Sequence, residues 1–108
     1  MTSENIYLSG PMSGLPEHNY PAFHAAAAKL RALGYQVENP AENPEPPCKS
    51  WAGYMRLALA QLVRCEVTVR LPGWQKSRGA VIESSISRML GMDVQDYASF
   101  VADDGASI

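Results

Sequence analysis

The sequence predicts an α/β domain with a doubly wound parallel sheet and helices on both faces. Short apolar, β-prone runs alternate with stretches of helical periodicity, and Gly–Pro clusters punctuate the joins. A length of 108 residues suits one such domain and leaves no room for two.

Asn5-Ile6-Tyr7-Leu8-Ser9 reads as a buried parallel strand that ends at Gly10-Pro11. Gly10 to Pro16 holds two Gly and two Pro and is a loop. From about Tyr20 to Leu33, Phe23, Ala26, Ala27, Leu30 and Leu33 recur at helical spacing. Pro21 suits the first turn and Gly34 the position past the end. Tyr35 to Glu38 is a second strand, stopped by Asn39-Pro40. The proline-rich stretch 40–48 is a loop, longer than most connections, and a candidate lid or binding element. Ser50 caps a second helix to about Val63, with a stripe of Trp51, Tyr54, Met55, Ala58, Leu59 and Leu62. Glu66 to Leu71 alternates as a third strand. After the loop Pro72–Gly79, a third helix spans Ala80 to Leu90 and closes at Gly91; Asp93-Val94-Gln95 is a short fourth strand. The polar residues 103–108 are expected to form a flexible tail after a single domain over 1–102. The order β-α-β-α-β-α-β is that of a flavodoxin- or Rossmann-like sheet of four to five strands.

Composition narrows the function. Nine Lys and Arg against eleven Asp and Glu give a net charge of -2, whereas gripping nucleic-acid phosphates needs a basic face. No apolar run reaches the ~18 residues of a membrane span. The opening residues 1–5 have neither the basic start nor the apolar centre of a secretion signal, so a cytoplasmic protein is expected. Cys48 and Cys65 read as reduced thiols. With His18 and His24 they do not make a zinc pattern, so no metal or cofactor is expected.

In doubly wound sheets, ligands bind beyond the carboxyl ends of the strands where the strand order reverses. That rule selects the loops after Leu8, Glu38 and Leu71. In the first, Ser9, Gly10, Met12, Ser13 and Gly14 could bring backbone N–H groups to an anion, or form a tight turn that needs glycine. The loop after Leu71 offers Ser77, Arg78 and Gly79 at a helix N-terminus, groups suited to a phosphate. Trp74 could cover a flat ring. Glu83 reads either as a carboxylate favoured by the helix dipole or as a functional acid.

The run from Ile6 through Gly14, with Asn19-Tyr20-Pro21-Ala22-Phe23, Asn39-Pro40-Ala41-Glu42, Leu71-Pro72-Gly73-Trp74 and Ser77 through Glu83, resembles a group of small, often phage- or prophage-associated proteins labelled DUF4406. These are similar to nucleoside 2-deoxyribosyltransferases and 2'-deoxynucleoside 5'-monophosphate N-glycosidases. The resemblance covers about residues 5–95. It implies cleavage of the bond between a base and the deoxyribose C1' of a nucleoside or its 5'-monophosphate, or transfer of the sugar. Glu83 stands where the relatives place their nucleophile, and Tyr7 matches the tyrosine that orients it. Ser77 matches the serine of the monophosphate hydrolases, which favours a 5'-phosphorylated substrate. The resemblance also implies a homo-oligomer, for which Trp51, Tyr54 and Met55 offer an apolar patch. Trp74 as a contact to base or ribose is an inference apart from the resemblance.

One position departs. Counting back eight residues from Glu66, the relatives' base-protonating Asp falls on Ala58. Loss of a general acid costs about 10²–10⁴ in rate. Glu38 or Glu42 is the candidate substitute. The competing expectations are a nucleotide-binding module that does not turn over and a purely structural or interaction role.

Overall fold

The computed structural model describes residues 4–47 and 49–106, with side chains described to Ala102. Four strands, β1 (Asn5–Ser9), β2 (Gln36–Glu38), β3 (Val67–Arg70) and β4 (Asp93–Asp96), form one parallel sheet in the order β2-β1-β3-β4. Register pairs Ile6 with both Val37 and Val67, and Thr68 with Val94. The order reverses between β1 and β3, which places a crevice at their carboxyl ends.

Alternation along the strands sorts side chains between two helical layers. Ile6, Leu8, Val67 and Val69 face the layer containing α1 (Tyr20–Ala32), whose Phe23, Ala26, Ala27 and Leu30 complete one core. Full burial of a side chain like Phe23 contributes roughly 1.5–3 kcal/mol. Tyr7 points to the other face. There Ala58 and Leu62 of α2 (Trp51–Leu62) and Ile86 of α3 (Arg78–Met89) form a smaller core with Cys65. On that face Thr68 and Ser87 hydroxyls meet at 2.7 Å, and Ser87 donates to the Glu83 carbonyl at 2.7 Å, so the third helix is pinned to β3 through buried polar groups.

The doubly wound class and the four strands match the sequence reading. The chain's end differs. A fourth helix, α4 (Tyr97–Ala106), runs through much of the segment expected as a flexible tail; residues 107–108 lie outside the described residues. Tyr97, Phe100 and Val101 pack on the first core, with the Phe100 ring 5.3 Å from that of Tyr35. Packing of that apolar face offsets the cost of nucleating a short helix, which then propagates into polar sequence.

α3 starts at Arg78, two residues before the expected Ala80, because Ser77 Oγ accepts from the Ala80 N–H at 3.2 Å and caps it. Ser50 caps α2 as expected, accepting from the Gly53 N–H at 3.0 Å. Trp51 and Tyr54, expected on the buried stripe of α2, are instead 38% and 40% exposed, because their end of the helix overhangs the crevice. Cys65 is buried, its thiol pushed up to about 12 by burial and then by Glu38 and Glu66; Cys48 lies outside the described residues. No described helix is long and apolar enough to cross a membrane.

Candidate active site

Ser9 ends β1 with its side chain on the same face as Tyr7, two residues apart in a pleated strand. Both reach the same partner. Tyr7 donates its phenol hydrogen to Glu83 Oε2 at 2.8 Å, and Ser9 donates its hydroxyl to Glu83 Oε1 at 2.6 Å. Each oxygen of the carboxylate is therefore held, which fixes its plane. Glu83 is 6% exposed, and Tyr7 and Ser9 are fully buried.

Burial pushes the Glu83 carboxyl up to about 7, against the hydrogen bonds from Ser9 and Tyr7, which pull it down. The helix N-terminus and Arg78 are the nearby groups of α3 that would favour ionisation, and neither governs Glu83. Glu83 sits about one and a half turns into α3, past the first turn where the dipole acts. Arg78 points elsewhere, its guanidinium 4.0 Å over the Trp51 ring. Desolvation also holds the Tyr7 phenol well above its usual range, helped by the adjacent carboxylate, so Tyr7 is a donor and stays protonated.

Glu83 and Tyr7 lie on the wall of a cleft of about 300 Å³. The three loops selected from the sequence all contribute. Gly10, Met12 and Ser13 come from the loop after β1, Pro40 and Asn43 from that after β2, and Ser77 and Gly79 from the approach to α3. Trp51, Tyr54, Met55, Leu57 and Ala58 of α2 form an apolar wall, and His18 and Tyr20 add a further part of the rim. Ala58 faces this cleft. Gly79 leaves room beside Met55, since a Cβ there would lie 3.0 Å from the Met55 Sδ and displace that flexible side chain.

Several expected contacts fall away from the lining. Trp74 does not line the cleft; Arg70 draws it off, its guanidinium 3.9 Å over the Trp74 ring while its Nε donates to Asp96 at 2.9 Å. Arg78 and Gly14 are likewise outside the lining, and Ser9 touches Glu83 from behind. Neither suggested proton source lines it. Glu42 is paired with Arg31 at 2.8 Å, which holds its carboxyl below the usual range, and Glu38 accepts from Gln61 at 3.0 Å. Glu66, at the strand start, accepts from the Asn5 N–H at 2.8 Å and so joins the strand ends, remote from the cleft.

The 40–48 loop is tied down where it meets the cleft. Asn39 accepts from the Ala41 N–H at 3.0 Å, and Asn43 Nδ2 donates to Gln61 at 2.6 Å. Residues missed from the sequence are Ser9 as a carboxylate clamp, and His18, Tyr20 and Asn43 as lining. A serine at the end of a strand just before Gly-Pro looks like turn chemistry. Its two-residue spacing from Tyr7 was the available signal.

Among the described residues no three His, Cys, Asp or Glu side chains group where they could share a metal ion. No curated protein matches the chain. The family described as Domain of unknown function (DUF4406) matches residues 4–96, nearly the whole fold, and the chain belongs to it.

Proposed function

We propose that this protein cleaves the N-glycosidic bond of a 2'-deoxynucleoside or its 5'-monophosphate, with Glu83 as the nucleophile. The observation that carries the reading is a buried carboxylate on a cleft wall, held by one donor on each oxygen. A structural glutamate has little reason to be desolvated, clamped and left facing a cavity; a reacting carboxylate needs all three.

In the reaction the ionised Glu83 attacks C1', the bond from C1' to the base nitrogen breaks, and a glycosyl ester forms. Carbon C1' passes through an oxocarbenium-like state that the carboxylate stabilises. Tyr7 and Ser9 hold the carboxylate so that no side-chain rotation is lost at that moment. Water resolves the ester in hydrolysis; a second base resolves it in sugar transfer. Ser77 supports a 5'-phosphate. Its oxygen is used to cap α3, but its own hydrogen remains available to an anion, and the Gly79 backbone lies beside it at the helix start. The aromatic and apolar α2 wall offers the base a stacking surface.

The test is to incubate the protein with the common deoxynucleosides and their 5'-monophosphates and follow free base by chromatography. Release by the native protein and none by Glu83→Ala supports the reading. No release at protein concentrations near that of the substrate overturns it. A nucleotide-binding module without turnover is the second reading, favoured by Ala58 on the cleft wall. Calorimetric binding of a nucleotide without base release would support it.

A further inference from the structure

The proposed cleavage makes one further chemical demand. A nucleobase leaves poorly as an anion and needs a proton as the C1'–N bond breaks. Of the titratable side chains that line the cleft, Glu83 is the nucleophile and Tyr7 is spent on it. Tyr54 donates to Glu45 at 3.2 Å, and the Tyr20 ring lies against those of His18 and His24. Among the described residues that leaves His18, and imidazole is a side chain that can both give and accept a proton. We propose that His18 is the general acid that protonates the departing base.

The backbone around His18 supports a positioned group. Glu17, His18 and Asn19 take φ values of 52°, 53° and 61°, three successive non-glycine residues in the left-handed region. Each costs roughly 1–2 kcal/mol. Such strain persists only where the surroundings enforce it, and it gathers at functional sites. The enforcing contacts are present. Asn19 Nδ2 donates to the Pro11 carbonyl at 2.9 Å, the His18 N–H donates to the Leu15 carbonyl at 3.0 Å, and the His18 ring lies 5.6 Å from that of Tyr20. A relaxed turn of this sequence would have no need of the left-handed conformation. The strained one sets the imidazole on the cleft rim.

The step balances. The imidazolium gives its proton to a base nitrogen as the C1'–N pair returns to the base and C1'–O to Glu83 forms. The neutral imidazole then takes a proton from the water that opens the ester. Free base, free sugar and the starting forms of Glu83 and His18 result.

The inference rests on the proposed glycosidase activity, and the experiment separates the two. Two substrates are compared, dGMP and its N7-methylated form; the latter's base leaves as a neutral species without needing a proton. The variant is His18→Asn, since asparagine tolerates left-handed backbone. Expected is a loss of about 10²–10⁴-fold on dGMP and less than about 5-fold on the methylated substrate, in line with loss of a general acid. Equal losses on both make His18 a structural residue and overturn the inference, as does an unchanged rate on dGMP. Glu83→Gln is expected to lose both substrates. Native protein inert to both substrates and to the other common deoxynucleosides and their 5'-monophosphates overturns the glycosidase reading, and this inference with it. Native protein that cleaves only the methylated substrate overturns the general acid alone.

Discussion

Glu83 and Tyr7 stand 76 residues apart in sequence and meet at 2.8 Å behind the cleft, phenol donating to carboxylate. The bond joins the centre of the sheet to α3. It is also one of the two hydrogen bonds that favour the ionised form of an acid whose burial favours the neutral one. Removing it by Tyr7→Phe leaves the ring's packing intact. A hydrogen bond to a charged group is worth about 1.5–3 kcal/mol. The Glu83 pKa is expected to rise by roughly one to two units on that scale. Base release should fall about 5–50-fold at pH 7, with the loss shrinking as pH rises. A pH profile of kcat/KM for both proteins checks it; a loss equal at all pH values would contradict it.

The native profile has its own expected shape. With a pKa of about 7 the Glu83 carboxyl is half ionised near neutrality. At pH 6 only about one tenth is ionised. Activity is therefore expected to climb through pH 6–8 on its acid limb. An acid limb centred near the ordinary 4.5 would mean that the carboxylate is wetter than its burial implies.

Stability should move the opposite way. The Glu83 pKa is 4.5 in its ordinary state and about 7 in the fold, so the folded protein binds this proton more tightly than the unfolded chain. The stabilising contribution is complete below pH 4.5, declines as pH rises towards 7, and is gone above it. The gap is worth about 3 kcal/mol. Glu83→Gln removes the charge and keeps the shape. It is expected to be more stable than the native protein at pH 8, by about 1–3 kcal/mol, and close to equal at pH 4.5. Urea melts at the two pH values decide it. A variant less stable at pH 8 would show that the carboxylate is structural.

Much of this was legible in the residues, and the parts that were not have physical causes. Strand alternation and the switch-point rule located the crevice, because both depend only on the order of elements and the two-residue period. Glu83 beside Tyr7 followed the family resemblance. Trp74 falls outside the cleft although a tryptophan in a glycine-bounded loop advertises its flat ring; Arg70, at the end of the strand that leads into that loop, carries no sign that it will cover the ring. The turn at Glu17–Asn19 was invisible for a related reason. Left-handed backbone normally announces itself through glycine, and here contacts to Pro11 and Tyr20 hold it in three successive residues without one. α4 was missed because its apolar residues are few and gain their helix from the core beneath them.

Two glycines near the cleft are expected to respond differently to alanine. A Cβ on Gly10 would meet Leu71 Cβ at 2.9 Å and Phe23 Cζ at 3.3 Å, atoms fixed in the buried core. Gly10→Ala should cost about 1–3 kcal/mol as an overpacked site. At Gly79 the nearest atom is the sulfur of a flexible methionine, so Gly79→Ala should cost less than about 1 kcal/mol and act on ligand binding instead. Thermal melts and nucleotide titrations of the pair check the split. Equal destabilisation would refute it.

A last expectation concerns Ala58, on the cleft wall. If His18 supplies the proton, an aspartate at 58 duplicates a function already present, and Ala58→Asp alone should change base release less than about 5-fold. In the His18→Asn background the same change should recover 10-fold or more of the lost rate, because a general acid is worth about 10²–10⁴. Ala58 is 7% exposed, so burial would raise the new carboxyl and keep part of it protonated, the form a general acid requires. The four proteins are compared on dGMP at fixed pH. Additive effects of the two substitutions would mean that the two positions do not share a proton-donating role.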